Sequence, residues 1–312
     1  MIKWHGAVQF SSGVSISLKC SFCFLLLLVF ACTSSGSQLE GKPLSLWQID
    51  HGEARVYLLG SVHALKPEHY PLSKTIEDAY SQSDITVFEI ELGRLSSYEI
   101  ALIMQELGSY TTPHSVESAI SEKTLRLLNK YIKENKLKTG VFSQLKPWMI
   151  SLQIALYEMR KSGYDSNLGI DQYFQMKAQK EGKPIIQLES FREQIELLAG
   201  DDKVLQDLTL QATLQESETV SSLIGELVLA WKNGAADEMY AISTRDESRY
   251  PELKGQMERL LDDRNIKMAA KIKGFLKGKE HYFVVVGALH MGGQKGLLKL
   301  LGDDFKVIQM YE

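Results

Sequence analysis

Short apolar runs organise this chain. Near the start, Tyr57-Leu58-Leu59 leads into Gly60-Ser61-Val62-His63; near the end, Val284-Val285-Val286 leads into Gly287-Ala288-Leu289-His290. Runs of this length and aliphatic character predict strands buried on both faces. In each, the Gly lets the chain leave the strand closely packed or with positive φ. The His then falls just past the carboxyl end of a strand, where open α/β sheets place their ligands. Leu44–Asp50 and Arg55–Leu59 flank His51-Gly52-Glu53-Ala54 and predict a hairpin. Ile85–Leu92 predicts a further strand, whose alternation puts Val87, Glu89 and Glu91 on one face and Phe88, Ile90 and Leu92 on the other. Ile185–Glu189 and Phe305–Gln309 complete the strand candidates.

The remaining pattern is helical. Ile76, Ala79 and Tyr80 give an i, i+3, i+4 face to a helix over Leu72–Ser83. From Ser96 to Ala199 the period is again helical, with Pro147 at a tolerated first-turn position and Leu168-Gly169-Ile170-Asp171 ahead of another helix. Phe191–Ser243 reads as packed amphipathic helices broken near Gly200 and Asn233-Gly234, and Arg259–Phe275 as one more. The expected fold is α/β: a central mixed sheet built from the GxxH strands, with a large helical insertion. The two GxxH strands must meet in one sheet if their histidines share a site.

The N-terminus follows different rules. Cys20–Ala31 is a largely apolar run of about twelve residues behind Lys19, in the ~7–15 range of a signal-peptide core and short of the ~20 that span a bilayer. Residues 1–31 are therefore expected to be an export signal, 32–43 a flexible tether, and 44–312 the folded domain. Val29-Phe30-Ala31-Cys32 resembles a bacterial lipobox, although Phe30 is bulkier than that pattern usually allows. Cys32 is then either acylated, giving a lipid anchor as the membrane contact, or left behind by ordinary signal peptidase. The expected location is the periplasm or cell envelope.

Composition narrows the chemistry. The 312 residues carry a net charge of −4, which gives no electrostatic reason to expect nucleic acid. All three cysteines (Cys20, Cys23, Cys32) precede the folded region, so that region has neither an internal disulfide nor a thiolate metal site. Four candidate strands end in groups able to bind metal or move protons: His63, Glu89, Glu189 and His290. Two imidazoles and a carboxylate suit a divalent Mn, Co, Zn or Fe ion, with a second carboxylate as general base; without metal, a His–Glu pair can do acid–base chemistry. A carboxylate inside an apolar strand is costly to bury without a partner, which favours a functional role for Glu89. His51, His69, His114 and His281 lack this context, with His69 the reserve ligand.

Leu58–His63, Thr86–Glu89 and Val284–Gly293 resemble the TraB/PrgY/GumN family, which includes the Tiki proteases of animals. The resemblance extends through Lys146-Pro147-Trp148, Gly169-Ile170-Asp171, Gln187-Leu188-Glu189 and Arg264-Asn265, from about Leu46 to Gln309. It implies a fold related to those of erythromycin esterases and haem-binding ChaN-like proteins. It also implies a Mn²⁺- or Co²⁺-dependent protease site with His63, His290 and Glu89 at the metal; Glu189, Asp171 and Arg264 lie in family-like segments, and Glu89, Glu189 and Arg264 are the candidate catalytic groups. Arg264 stabilises an oxyanion or pairs structurally with Asp171 or a Glu. The leading expectation is an exported metal-dependent hydrolase acting on a peptide or small-molecule substrate. Its rivals are a protein that sequesters peptide, metal or haem without turnover, and a metal-independent His/Glu esterase-like enzyme.

Overall fold

Alternating β-branched strands and amphipathic helices produce a six-stranded mixed sheet with helices on both faces. The computed structural model describes residues 41–111, 114–245 and 248–312; the expected export signal and Cys32 lie outside them. The strands are β1 (Pro43–His51), β2 (Ala54–Ser61), β3 (Ile85–Phe88), β4 (Ile185–Gln187), β5 (His281–Gly287) and β6 (Val307–Tyr311), in the order β4-β3-β5-β2-β1-β6. β4, β3, β5 and β2 run parallel, whereas β1 is antiparallel to both β2 and β6. The expected hairpin is present at β1–β2. The two GxxH strands, far apart in sequence, are sheet neighbours, with Gly60 opposite Val286 and Ser61 opposite Gly287.

Side-chain alternation divides the core. On one face Tyr57, Leu59, Phe88, Phe283 and Val285 pack against α1 (Lys74–Ser81), α5 (Ile170–Glu181) and α8 (Val220–Lys232). On the other, Val56, Leu58, Val87, Val284 and Val286 pack against α11 (Asp262–Phe275) and α12 (Leu297–Gly302). The helical insertion surrounds β4. Before it come α2 (Ser97–Gly108), α3 (Glu122–Glu134), α4 (Pro147–Lys161) and α5; after it come α6 (Phe191–Ala199), α7 (Lys203–Glu216), α8, α9 (Ala236–Thr244), α10 (Lys254–Leu260) and α11. Part of this insertion has its own core, where Leu128 and Tyr131 of α3, Ile150 and Ile154 of α4, and Leu210 and Leu214 of α7 meet. The described residues belong to one compact unit. Among them, no helix is long and apolar enough to cross a membrane.

Two expectations need correction. β3 stops at Phe88 instead of running to Leu92, so Glu89 and Glu91 do not share a strand face. The regular ladder ends where the Glu89 carbonyl accepts both the Leu188 and Glu189 N–H groups, the Glu89 carboxylate takes a hydrogen bond across the sheet end, and Leu92–Arg94 turns into a 3-10 helix. The last strand is also displaced, to Val307–Tyr311, because it pairs with β1 through Val307, Ile308, Gln309 and Tyr311.

Candidate functional site

His63, Glu89, Glu189 and His290 all lie within three residues of the carboxyl ends of β2, β3, β4 and β5, four adjacent parallel strands. Glycine makes their approach possible by close packing, not by left-handed backbone. A Cβ on Gly60 would sit 3.1 Å from that of Ala288, so Gly60 lets the β2 end lie against the 3-10 turn that carries His290. A Cβ on Gly287 would lie 3.2 Å from Glu89 Oε1 and 3.5 Å from both His63 Nε2 and His290 Cδ2. The missing side chain of Gly287 thus marks the point on which the three groups converge.

Each imidazole is tethered from behind. His63 Nδ1 lies 3.1 Å from Asp171 Oδ1. Asp171 reaches it because α5 begins against the His63 backbone: Ile170 N–H donates to Val62 O at 3.0 Å, and a Cβ on Gly169 would come within 2.5 Å of His63 O. His290 Nδ1 lies 2.6 Å from Asn265 Oδ1, and Asn265 Nδ2 donates to Lys295 O at 3.0 Å. Since a carbonyl only accepts, that second bond fixes the amide orientation and requires His290 to donate from Nδ1. The His290 Nε2 lone pair is left facing Glu89 Oε1, 3.9 Å away.

Glu89 is held on both oxygens. Its Oε1 accepts the Gly287 N–H at 2.6 Å, while Oε2 accepts from Arg264 Nη2 and, at 3.1 Å, from Gln194. Arg264 also pairs with Glu189, donating from Nε to both oxygens at 3.1 Å and from Nη2 to Oε1. Glu189 therefore stands on the Oε2 side of Glu89, away from the oxygen that faces the histidines. Of the partners considered from sequence, Arg264 takes Glu89 and Glu189, not Asp171. Adjacent positions on α11 divide the work: Arg264 serves the carboxylates and Asn265 serves His290.

These contacts set the charges. The Asp171 carboxylate draws the His63 imidazole up to about 9, despite the opposing effect of burial. Its side chain is nonetheless 68% exposed, opening onto a cleft. His290 is only 4% exposed, and burial outweighs its attraction to Glu89, lowering it to about 4. Burial alone would raise the Glu89 carboxyl; attraction to His290, Arg264 and His63 and the Gly287 N–H instead hold it at about 2. With His290 neutral above about 4, Arg264, the His63 imidazolium and the Gly287 N–H carry that stabilisation near neutral pH. At pH 7 the metal-free site thus pairs an imidazolium with a neutral imidazole and an ionised carboxylate.

The cleft beside His63 and Glu89 encloses about 390 Å³. Phe88 and Val285 line it together with the neutral amides of Asn167, Gln172, Gln175 and Gln194. His69 is elsewhere: its Nδ1 receives the Lys66 N–H at 2.9 Å and its ring stacks on Tyr164. Asp171 and Asn265 lay inside motifs visible in the sequence, but nothing local assigned them to the histidines. Gln194 carried no local signal at all, since its contact with Glu89 spans 105 residues.

Among the described residues, no three His, Cys, Asp or Glu side chains are gathered closely enough to grip one ion. The donor chemistry nevertheless fits a divalent cation. Two imidazoles present Nε2 with Nδ1 tethered, and a carboxylate stands beside them, as at sites where outer hydrogen bonds orient the ligands.

Comparison with known proteins agrees with the motifs. No solved structure matches the chain. The chain is 24% identical over 253 residues to "Uncharacterized protein YbaP" of Escherichia coli (strain K12), covering 80% of this chain and 89% of the relative, and the same values hold for YbaP of Shigella flexneri. The TraB/PrgY/gumN family model matches residues 45–307, spanning both GxxH motifs and everything between them, and the chain belongs to that family.

Proposed function

We propose that this protein is an exported divalent-metal-dependent hydrolase suited to peptide bonds. One observation carries the reading: imidazoles from opposite ends of the chain are each tethered at Nδ1, by Asp171 and Asn265, with Glu89 Oε1 beside their Nε2 edges. His63 and His290 would hold a Mn²⁺, Co²⁺ or Zn²⁺ ion through Nε2, and Glu89 through Oε1. Such an ion supplies Lewis acidity and lowers the pKa of a bound water from ~15.7 to about 7. Arg264 keeps Glu89 ionised and fixed, and Glu189 shares the same guanidinium. His63 must release its Nε2 proton before it can act as a ligand, so proton and metal compete there. The cleft's amides and apolar floor suit the hydrogen-bonding backbone of a neutral polypeptide, and no Lys or Arg lines it to favour an anion. Export rests on the apolar run Cys20–Ala31, with Cys32 as the candidate lipid-anchored residue.

A second reading has its own support. His63 is drawn up to about 9 and His290 pushed down to about 4, and a split of this kind marks acid and base partners. A metal-free enzyme would use it directly.

The test measures bound metal by mass spectrometry and peptide-library cleavage, for wild type and the His63→Ala/His290→Ala variant. The expected result is about one ion per chain and chelator-sensitive cleavage, both lost in the variant. Cleavage that survives chelation favours the acid–base reading; an ion bound without any cleavage favours sequestration.

A further inference from the structure

Ser61 closes β2 inside the first GxxH motif, and no role above uses it. It is 3% exposed, yet its Oγ has no hydrogen-bond partner among the described residues. Buried hydroxyls are rarely left so, and each exception calls for an explanation. The residue borders the cleft together with His63 and Glu89, its hydroxyl buried at the edge. Its position in the sheet is defined by register: Leu59 and Val285 are opposite each other and share one face, so Ser61 and Gly287, two residues on, share it too. Neighbouring strands lie about 5 Å apart. The Ser61 side chain therefore leaves the sheet about one strand spacing from the point marked by the missing Gly287 side chain, where His63, His290 and Glu89 converge. No imidazole or carboxylate is hydrogen-bonded to it, so it is not an activated nucleophile.

We infer that Ser61 Oγ is a binding group of this site, hydrogen-bonding an oxygen atom seated between His63, Glu89 and the cleft floor. That oxygen belongs to solvent or to a carbonyl-type group of the substrate. The inference rests on the metal-site reading above and adds to it a neutral group that recognises what the ion receives.

The test compares wild type, Ser61→Ala and Ser61→Thr by thermal melting of the metal-free protein, Co²⁺ titration with visible spectra, and acetohydroxamate binding to the Co²⁺ form. Ser61→Ala should melt at or slightly above the wild-type temperature, because it removes a buried hydroxyl with no protein partner. For a substrate-type oxygen, Ser61→Ala keeps Co²⁺ affinity within about threefold and weakens acetohydroxamate by about 3- to 10-fold, while Ser61→Thr retains it. For a solvent oxygen, the Co²⁺ spectrum shifts with acetohydroxamate affinity unchanged. The inference is overturned if Ser61→Ala melts several degrees lower, if neither spectrum nor affinity changes, or if wild-type Co²⁺ protein takes no acetohydroxamate. Absence of Co²⁺ binding in wild type overturns the metal reading itself and this inference with it.

Discussion

The Gly287 N–H donates to Glu89 Oε1 at 2.6 Å, joining the ends of β5 and β3. The same glycine that ends the second GxxH strand thereby fixes the carboxylate that both histidines face. It does so with its backbone, leaving the space of a side chain open.

Gly287→Ala tests that space. The backbone at φ −52, ψ 134 suits any residue, so the fold should survive at a cost of about 1 kcal/mol. The new methyl would lie against Glu89 Oε1 and both imidazoles. Mn²⁺ or Co²⁺ affinity by calorimetry should fall ~100-fold or more. Unchanged affinity would place the ion elsewhere.

Asp171→Asn tests the tether on His63. In the metal-free protein, NMR titration should show the His63 pKa falling from about 9 toward the ordinary ~6.5. The sign for stability follows. Folded wild-type His63 holds its proton more tightly than an unfolded histidine, so the pair's contribution is whole below pH ~6.5 and is lost as pH rises through about 9. Urea melts should show wild type losing more stability than Asp171→Asn across that window. Equal pH slopes would mean that Asp171 does not hold the imidazolium. Metal affinity runs the opposite way, rising with pH as His63 gives up its proton.

Arg264→Ala tests the buried charge cluster. The arginine side chain is 10% exposed between Glu89 and Glu189, and removing it leaves two buried carboxylates sharing one environment. Denaturant unfolding should show a loss of about 3–5 kcal/mol. Adding Glu89→Gln and Glu189→Gln should recover part of it. A loss below ~1 kcal/mol would show that these carboxylates are solvated more fully than their burial indicates.

Much of this protein was determined by its sequence alone. The apolar runs before Gly60 and Gly287 specify buried parallel strands, and a strand end places His63 and His290 on one edge of any sheet that pairs them. Family and α/β class follow from the same short motifs. Periodicity reports which face of an element is buried, a local property. It cannot report which distant group meets that face. Only the tertiary structure pairs Arg264 with Glu89 across 175 residues, sets Asp171 and Asn265 behind the two imidazoles, and ends β3 at Phe88 so that Glu89 can turn toward Gly287. The charge states of His63 and His290 belong there too: identical side chains in matching motifs are driven apart by a carboxylate beside one and by burial of the other.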